Sequence, residues 1–178
     1  MALKTGELGI KLIEEFEQIN DGDNSRIGFQ PKLDCSGIFT AGIGHAIVDP
    51  ITKKFITIDT PGGYTRACEL YKDLSIEEVE KLFQKDLKKY ENFVRDNLKI
   101  ELKQNEFDAL VSHVFNCGIS ETLFGLINKY PHYIKSIRDF WLNHYIKSDG
   151  IIRNGLIRRR KSEYELFLNG KLNFFENE

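Results

Sequence analysis

Apolar residues recur in steps of three and four along most of this chain, and the pattern breaks only between about residues 20 and 60. Leu8, Leu12, Ile13 and Phe16 predict a first helix over Thr5–Phe16, with Thr5 as its N-cap. Ser75-Ile76-Glu77-Glu78 is a capping box. The stripe behind it, Ile76, Val79, Leu82, Phe83, Leu87, Tyr90, Phe93 and Val94, sustains a helix for about five turns. Phe107, Leu110, Val111, Val114 and Phe115 repeat the pattern from Gln104 to Asn116, which stops at Gly118. Further helices are expected at 121–129, 134–146 and 156–168, the last ended by Gly170. Residues 20–30 are turn-rich and read as a loop. Ile38–Ile43 and Lys54–Ile58 hold β-branched and aromatic residues between Gly and Pro, which predicts a small antiparallel sheet. The expected class is α+β, in one domain over 1–178. About 17–60 would form a small β lobe, and 1–16 with 74–170 a larger helical lobe, with a cleft between them.

The 178 residues are enough to bury a sizeable core, and 41% apolar with 29% charged is globular composition. No apolar run approaches the length of a membrane span, and no signal peptide is visible, so a product made in the cytoplasm is expected. Cys35, Cys68 and Cys117 are odd in number and share no C-x-x-C spacing, which points to reduced, mostly buried thiols, with no metal and no cofactor. Charge is uneven: residues 1–128 carry 15 Lys/Arg against 21 Asp/Glu, and residues 129–178 carry 10 against 6. The basic C-terminal part suits an anionic polymer or a solvated helix face.

Candidate chemistry sits in two pieces. A carboxylate, Glu17, ends the first helix, and a second, Asp34, opens a hairpin with five residues between it and Thr40. Gly42 and Gly44 follow. Glycosidic hydrolysis uses this inventory: one carboxyl protonates the leaving oxygen and another activates water or stabilises positive charge. Periodicity alone does not choose between Glu15 and Glu17, which both flank the apolar stripe.

Four stretches in order resemble the phage-type lysozymes, glycoside hydrolase family 24. Phe16-Glu17 resembles the family's Phe-Glu, and Asp34 followed after five residues by Thr40 resembles its Asp/Thr pair. Thr40-Ala41-Gly42-Ile43-Gly44-His45 resembles Thr-Ile-Gly-Tyr-Gly-His. Gln104 to Gly118 is similar to Gln-x-x-Phe-Asp-Ala-Leu-Val-Ser-x-x-Phe-Asn-x-Gly, and Gly155 to Glu163 to Gly-Leu-x-x-Arg-Arg-x-x-Glu. The resemblance implies a lysozyme-like fold and a peptidoglycan hydrolase acting as a monomer on the bond between N-acetylmuramic acid and N-acetylglucosamine. Glu17 would be the general acid, kept protonated by partial burial, and Asp34 with Thr40 would hold a water on the far face of the sugar. Arg159 matches the arginine that orients the acid; the other reading makes it part of a solvated Arg158–Lys161 run. Asn116 matches an amide that binds an acetamido group, or serves as a helix cap. Gly44 lets a sugar approach closely, and His45 is expected to make a structural hydrogen bond inside the hairpin. Trp141 is expected in the core of the helical lobe. A holin, a secretion machine or an inhibitor protein would be the protein partners; nucleic acid and stable membrane insertion are not expected.

The chain departs from the family in four ways. Sixteen residues separate Glu17 from Asp34 where eight are usual, Gln18 replaces a Gly, Lys32 stands where an aromatic is common, and the pI of 6.1 is less basic than is common. The longer segment fits an outward bulge of the 20–30 loop. It also motivates a second expectation, a catalytically silent wall-binding module on the same fold.

Overall fold

The computed structural model describes residues 2–19, 21–34, 36–148 and 150–175. Among them the elements run α1 (Glu7–Glu17), β1 (Lys32–Leu33), β2 (Phe39–Ala41), β3 (His45–Ala46), α2 (Gly63–Tyr71), α3 (Ile76–Asn97), α4 (Gln104–Cys117), α5 (Glu121–Ile127), α6 (Ile134–Asn143), β4 (Lys147–Ser148), β5 (Ile151–Ile152) and α7 (Asn154–Asn169). The class is α+β, as the periodicity predicts. None of the described helices is long and apolar enough to cross a membrane. The chain divides into two compact units, Glu17–Asp86 on the one hand and Met1–Phe16 with Leu87–Glu178 on the other. The first unit thus reaches past residue 60, through α2 and into α3.

The unit Glu17–Asp86 is organised by β1, β2 and β3, antiparallel in that order. Lys32 pairs with Thr40, Leu33 with Phe39, Thr40 with Ala46, and Ala41 with His45. Side chains alternate faces along a strand, so the odd positions share one face. Phe39, Ala41 and Ile47 pack there with Ile56 and Ala67, joined by Leu33, Tyr71, Leu74 and Leu82. Lys54–Ile58 runs beside the sheet without becoming a strand: Ile56 bonds Ile47 and Phe39, but Phe55 and Ile58 are exposed. The loop is drawn together over residues 21–30, where Gly22 N donates to Gln30 O (3.2 Å) and Gln30 N to Asp21 Oδ1 (3.1 Å). A closed base lets the extra residues project without spreading the ends.

α2 is absent from the sequence expectations because Pro61-Gly62-Gly63 reads as a turn. Gly63 is required there: an added Cβ would stand 2.6 Å from Thr57 O and 3.2 Å from the Phe39 ring. α3 starts at the expected capping box, with Glu78 N to Ser75 Oγ at 3.2 Å and Ser75 N to Glu78 Oε2 at 2.8 Å. Of its stripe, Val79, Phe83, Leu87 and Val94 are buried, whereas Ile76 is exposed.

In the other unit, α4 is buried on every side from Glu106 to Phe115. Leu110, Leu123, Ile127, Ile137, Trp141, Leu166 and Phe167 complete the core, each fully buried. Trp141 therefore sits where expected. Asn105 Nδ2 donates to the carbonyls of Leu166 and Phe167 (3.0 and 2.9 Å), and Gly170, at φ 64°, ends α7. Thr5 does not cap α1. Its N–H and hydroxyl both donate to Glu91 Oε1 (2.7 and 2.9 Å), a buried carboxylate that outcompetes the helix. The first turn is taken up by Gly6, whose carbonyl accepts from Ile10 N while its N–H donates to Asp108 Oδ1.

Candidate active site

Glu17 is the last residue of α1 and is half-buried, whereas Glu15 is exposed. The next residue, Gln18, has φ 52°. Left-handed backbone just past a helix is where glycine ordinarily stands, because a Cβ costs energy there. The Gly expected from the resemblance thus has a local reason, and Gln18 adopts the same backbone at a cost.

Asp34 follows β1 and builds the β1–β2 turn. Its Oδ1 accepts from Ser36 N (2.9 Å) and Ile38 N (2.8 Å), and its own N–H donates to Ile38 O (2.8 Å). Such an Asx-type turn orients the carboxyl through one oxygen. Among the described residues Oδ2 has no hydrogen-bond partner. Thr40 is buried in β2 and donates its hydroxyl to Lys32 O at 3.2 Å. Lys32 opposes Thr40 and Asp34 opposes Ile38, so Asp34 and Thr40 are diagonal neighbours on one face. Diagonal Cβ atoms stand about 7–8 Å apart or somewhat less, near enough for two polar ends to grip one small molecule.

His45 lies on the other face, paired with Ala41. Its Nδ1 is 2.7 Å from Asp86 Oδ2 on α3, and its Nε2 is 3.1 Å from the Tyr71 hydroxyl on α2. Burial, reinforced by Asp86, pushes the Tyr71 hydroxyl above its ordinary value, so it stays protonated. The structural hydrogen bond expected of His45 exists, but its partners are helices rather than the hairpin. Gly42 and Gly44 form the β2–β3 turn at φ 56° and 66°, and a Cβ on Gly42 would press on Val79 at 3.1 Å. The turn itself thus explains both glycines.

In the second unit the Arg158–Lys161 stretch is not a solvated run. Arg159 is 3% exposed and Arg160 0%. Arg159 Nε donates to Glu163 Oε1 at 3.2 Å, and its guanidinium lies 5.7 Å from the centre of the Phe16 ring. Glu163 is the hub of a buried network that the hydrophobic pattern did not reveal. Its Oε1 also accepts from Ser112 Oγ (3.0 Å) and Arg160 Nη2 (2.9 Å), while Oε2 accepts from Trp141 Nε1 (3.1 Å) and faces His113 Nδ1 (3.2 Å). Burial alone would raise this carboxyl, but Arg160, then His113 and Arg159, outweigh it and hold it at about 2. Burial pushes His113 below its ordinary value. The legible signal was Ser112-His113 inside an apolar helix, with Glu163 four and three residues after the two arginines.

Asn116 is exposed in the last turn of α4 and is not its cap, which is Gly118. Its Oδ1 accepts from Arg160 Nη2 at 2.8 Å. Cys68 and Cys117 are free, half-buried thiols; Cys35 lies outside the described residues.

Residues 27–163 match the family model described as Phage lysozyme, more than half of the chain. The chain belongs to the phage lysozyme family. Relatives of the chain include the endolysin of Bacillus phage B103, 29% identical over 173 residues, which cover 95% of this chain and 56% of that protein. The endolysin of Lactococcus phage c2 is 28% identical over 166 residues, covering 93% of this chain and 60% of its own. The chain thus spans only somewhat more than half the length of the curated relatives it matches. The solved endolysin from Escherichia coli O157:H7 phage FAHEc1 shares its fold at TM-score 0.69 and 22% identity, covering 97% of this chain and 98% of that one. The muramidase domain of SpmX from Asticaccaulis excentricus does so at TM-score 0.63 and 23% identity, covering 94% and 99%.

Proposed function

We propose that this chain is a lysozyme-type peptidoglycan hydrolase that cleaves the β-1,4 bond between N-acetylmuramic acid and N-acetylglucosamine, causing wall lysis. Family membership and the endolysin relatives support the reaction class. The observation that carries the mechanism is the hairpin face on which Asp34 and Thr40 stand together, with Asp34 held through Oδ1 and Oδ2 left to work. Glu17 gives its proton to the glycosidic oxygen as the bond to C1 breaks. Asp34 takes a proton from a water that Thr40 also holds, and the hydroxide so formed bonds to C1 from the opposite side, inverting the anomer. Asn116 offers its amide to an acetamido group, Gly44 lets the sugar come close, and His45 and Arg159 have supporting roles.

The test is digestion of purified sacculi by the wild-type chain and by Glu17→Gln, followed by mass spectrometry, reducing-end assay and early anomer analysis. The expected result is reducing muramic acid ends of inverted configuration, with turnover falling by about 10²–10⁴-fold in the variant, the range for general acid catalysis. Anhydro-sugar product, tight binding without cleavage, or near-normal lysis by Glu17→Gln would overturn the assignment.

A further inference from the structure

The segment between Glu17 and Asp34 is fastened at one amide residue, Gln30, which is 1% exposed although it lies in a turn-rich loop. Its backbone ties the two ends of that loop, accepting from Gly22 N and donating to Asp21 Oδ1. Counted through this tie, eight residues, 18–21 and 30–33, connect Glu17 to Asp34, and the eight residues 22–29 hang outside it. The side chain of Gln30 reaches a different element. Its Nε2 donates to Asp73 Oδ1, between α2 and α3, at 2.8 Å and to Gly28 O at 3.2 Å, with Ile27 O at 3.5 Å. Every group around this nitrogen is an acceptor, so the carboxamide has to present its NH₂ there. Beside it Phe29 and Leu74 exchange backbone bonds of 2.9 and 3.1 Å, and a Cβ added to Gly28 would stand 2.7 Å from the carbonyl carbon of Asp73. Leu74 packs against the cluster that holds Phe39 and Ala41 of β2. Gln30 stands two residues ahead of β1, whose Lys32 carbonyl accepts from the Thr40 hydroxyl, and four ahead of Asp34.

We propose that Gln30 is a positioning residue for the hydrolysis: by bonding Asp73 it docks the extra loop between α2 and α3, fixes the start of β1, and so sets where the Asp34 carboxylate stands. An untied connection of that length would leave its ends many separations to explore. This inference rests on the reading that Asp34 works in a peptidoglycan hydrolase, and it adds a group outside the reacting set on which the position of that carboxylate depends.

The experiment measures kcat and KM for reducing-end release from soluble peptidoglycan glycan strands, below the melting temperature of every variant. Gln30→Glu keeps the shape of the side chain but sets an anion against Asp73. It should lower kcat by about tenfold or more, since a misplacement of about 1 Å costs up to about 100-fold, with KM within about twofold. Asp73→Asn keeps an acceptor for Gln30 and suits the left-handed backbone at φ 56°. Alone it should leave kcat within about twofold. Combined with Gln30→Glu, its amide donates to the new carboxylate, and kcat should return to within about threefold of wild type. If Gln30→Glu does not fold, Gln30→Met, uncharged and of similar length, takes its place and should lower kcat about fivefold at unchanged KM. A folded Gln30 variant with wild-type kcat, even one that melts at a lower temperature, overturns the inference and leaves the hydrolase standing. So does a loss in Gln30→Glu that Asp73→Asn does not recover. A wild type that releases no reducing ends overturns the hydrolase reading, and this inference with it.

Discussion

Replacing Glu163 by glutamine removes one charge and almost no volume from the centre of a unit, so it isolates electrostatics from packing. Glu163 is fully buried, and its carboxylate is ringed by Arg159, Arg160, Ser112, Trp141 and His113. Its neighbours lower the carboxyl from an ordinary 4.5 to about 2. At about 1.4 kcal/mol per pH unit, that preference for the ionised form is worth about 3 kcal/mol. Glutamine also leaves two buried guanidinium groups without their shared anion, and breaking a buried pair from one side costs about 3–5 kcal/mol. We therefore expect Glu163→Gln to lower unfolding free energy near pH 7 by about 3 kcal/mol or more. That is a large share of the roughly 5–15 kcal/mol a domain holds. The pH dependence follows in sign. The folded value lies below the unfolded one, so the contribution is complete above about 4.5 and is lost as pH falls toward about 2. His113 acts in the same direction, because it is held neutral when folded and gains a proton more readily when unfolded. Urea denaturation at several pH values measures both effects. The wild type should lose stability steeply between about pH 5 and 3, and the variant should show a flatter slope. A loss under about 1 kcal/mol near neutral pH, or an unchanged acid slope, refutes the assignment of Glu163 as an ionised hub.

Three further outcomes are expected. Gln18→Gly relieves a left-handed backbone at φ 52°. It should stabilise by about 0.5–1 kcal/mol once the extra unfolded-state entropy of glycine is subtracted, and thermal melting that shows no gain counts against it. Asp34→Asn keeps an Oδ1 acceptor for Ser36 and Ile38 N–H but removes the charge. Melting should stay within about 2 °C while turnover falls by about 10²–10⁴-fold, whereas Asp34→Ala should also lose about 1 kcal/mol of stability. A double-mutant cycle on His45 and Asp86, 2.7 Å apart, should return a coupling of about 1.5–3 kcal/mol in unfolding. His45→Asn should retain kcat within a few-fold, and a collapse of kcat without loss of stability would return His45 to the reaction.

How far the sequence could be read depended on whether a residue's surroundings were local. The capping box at Ser75 and the stripes of α3 and α4 are set by neighbours one turn away, and they are legible for that reason. Trp141 was legible because a large apolar residue in a helical stripe has few places to go other than a core. α2 was hidden because its turn-like start and its two buried residues, Gly63 and Ala67, are decided by Thr57 and Phe39 on other elements. Thr5 reads as a cap until a carboxylate 86 residues away claims its hydroxyl. The Arg158–Arg160 stretch reads as a charged face until Glu163 is seen buried beneath it. Of the proposed site, the pair Asp34 and Thr40 rests on the resemblance to the phage-type lysozymes; spacing alone shows only that both belong to one hairpin. Asp86, which His45 meets, and Arg160, which donates to Asn116, lie 41 and 44 residues away in sequence, beyond the reach of any local pattern.

The hairpin joins stability to chemistry through its period of two. Thr40 and Ala41 are adjacent in sequence yet serve opposite faces: Ala41 packs with Phe39, Ile47 and Ile56, while Thr40 stands beside Asp34. A slip of one residue in either strand pairing would exchange the two faces entirely. The odd face resists that slip because it buries Phe39, Ala41 and Ile47 and anchors His45 to Asp86 and Tyr71. Side chains assigned no contact with substrate therefore fix where Asp34 and Thr40 stand. Enlarging Ala41 in this packed face would strain the register and degrade turnover through displacement of Asp34 and Thr40, although Ala41 bears no reactive group.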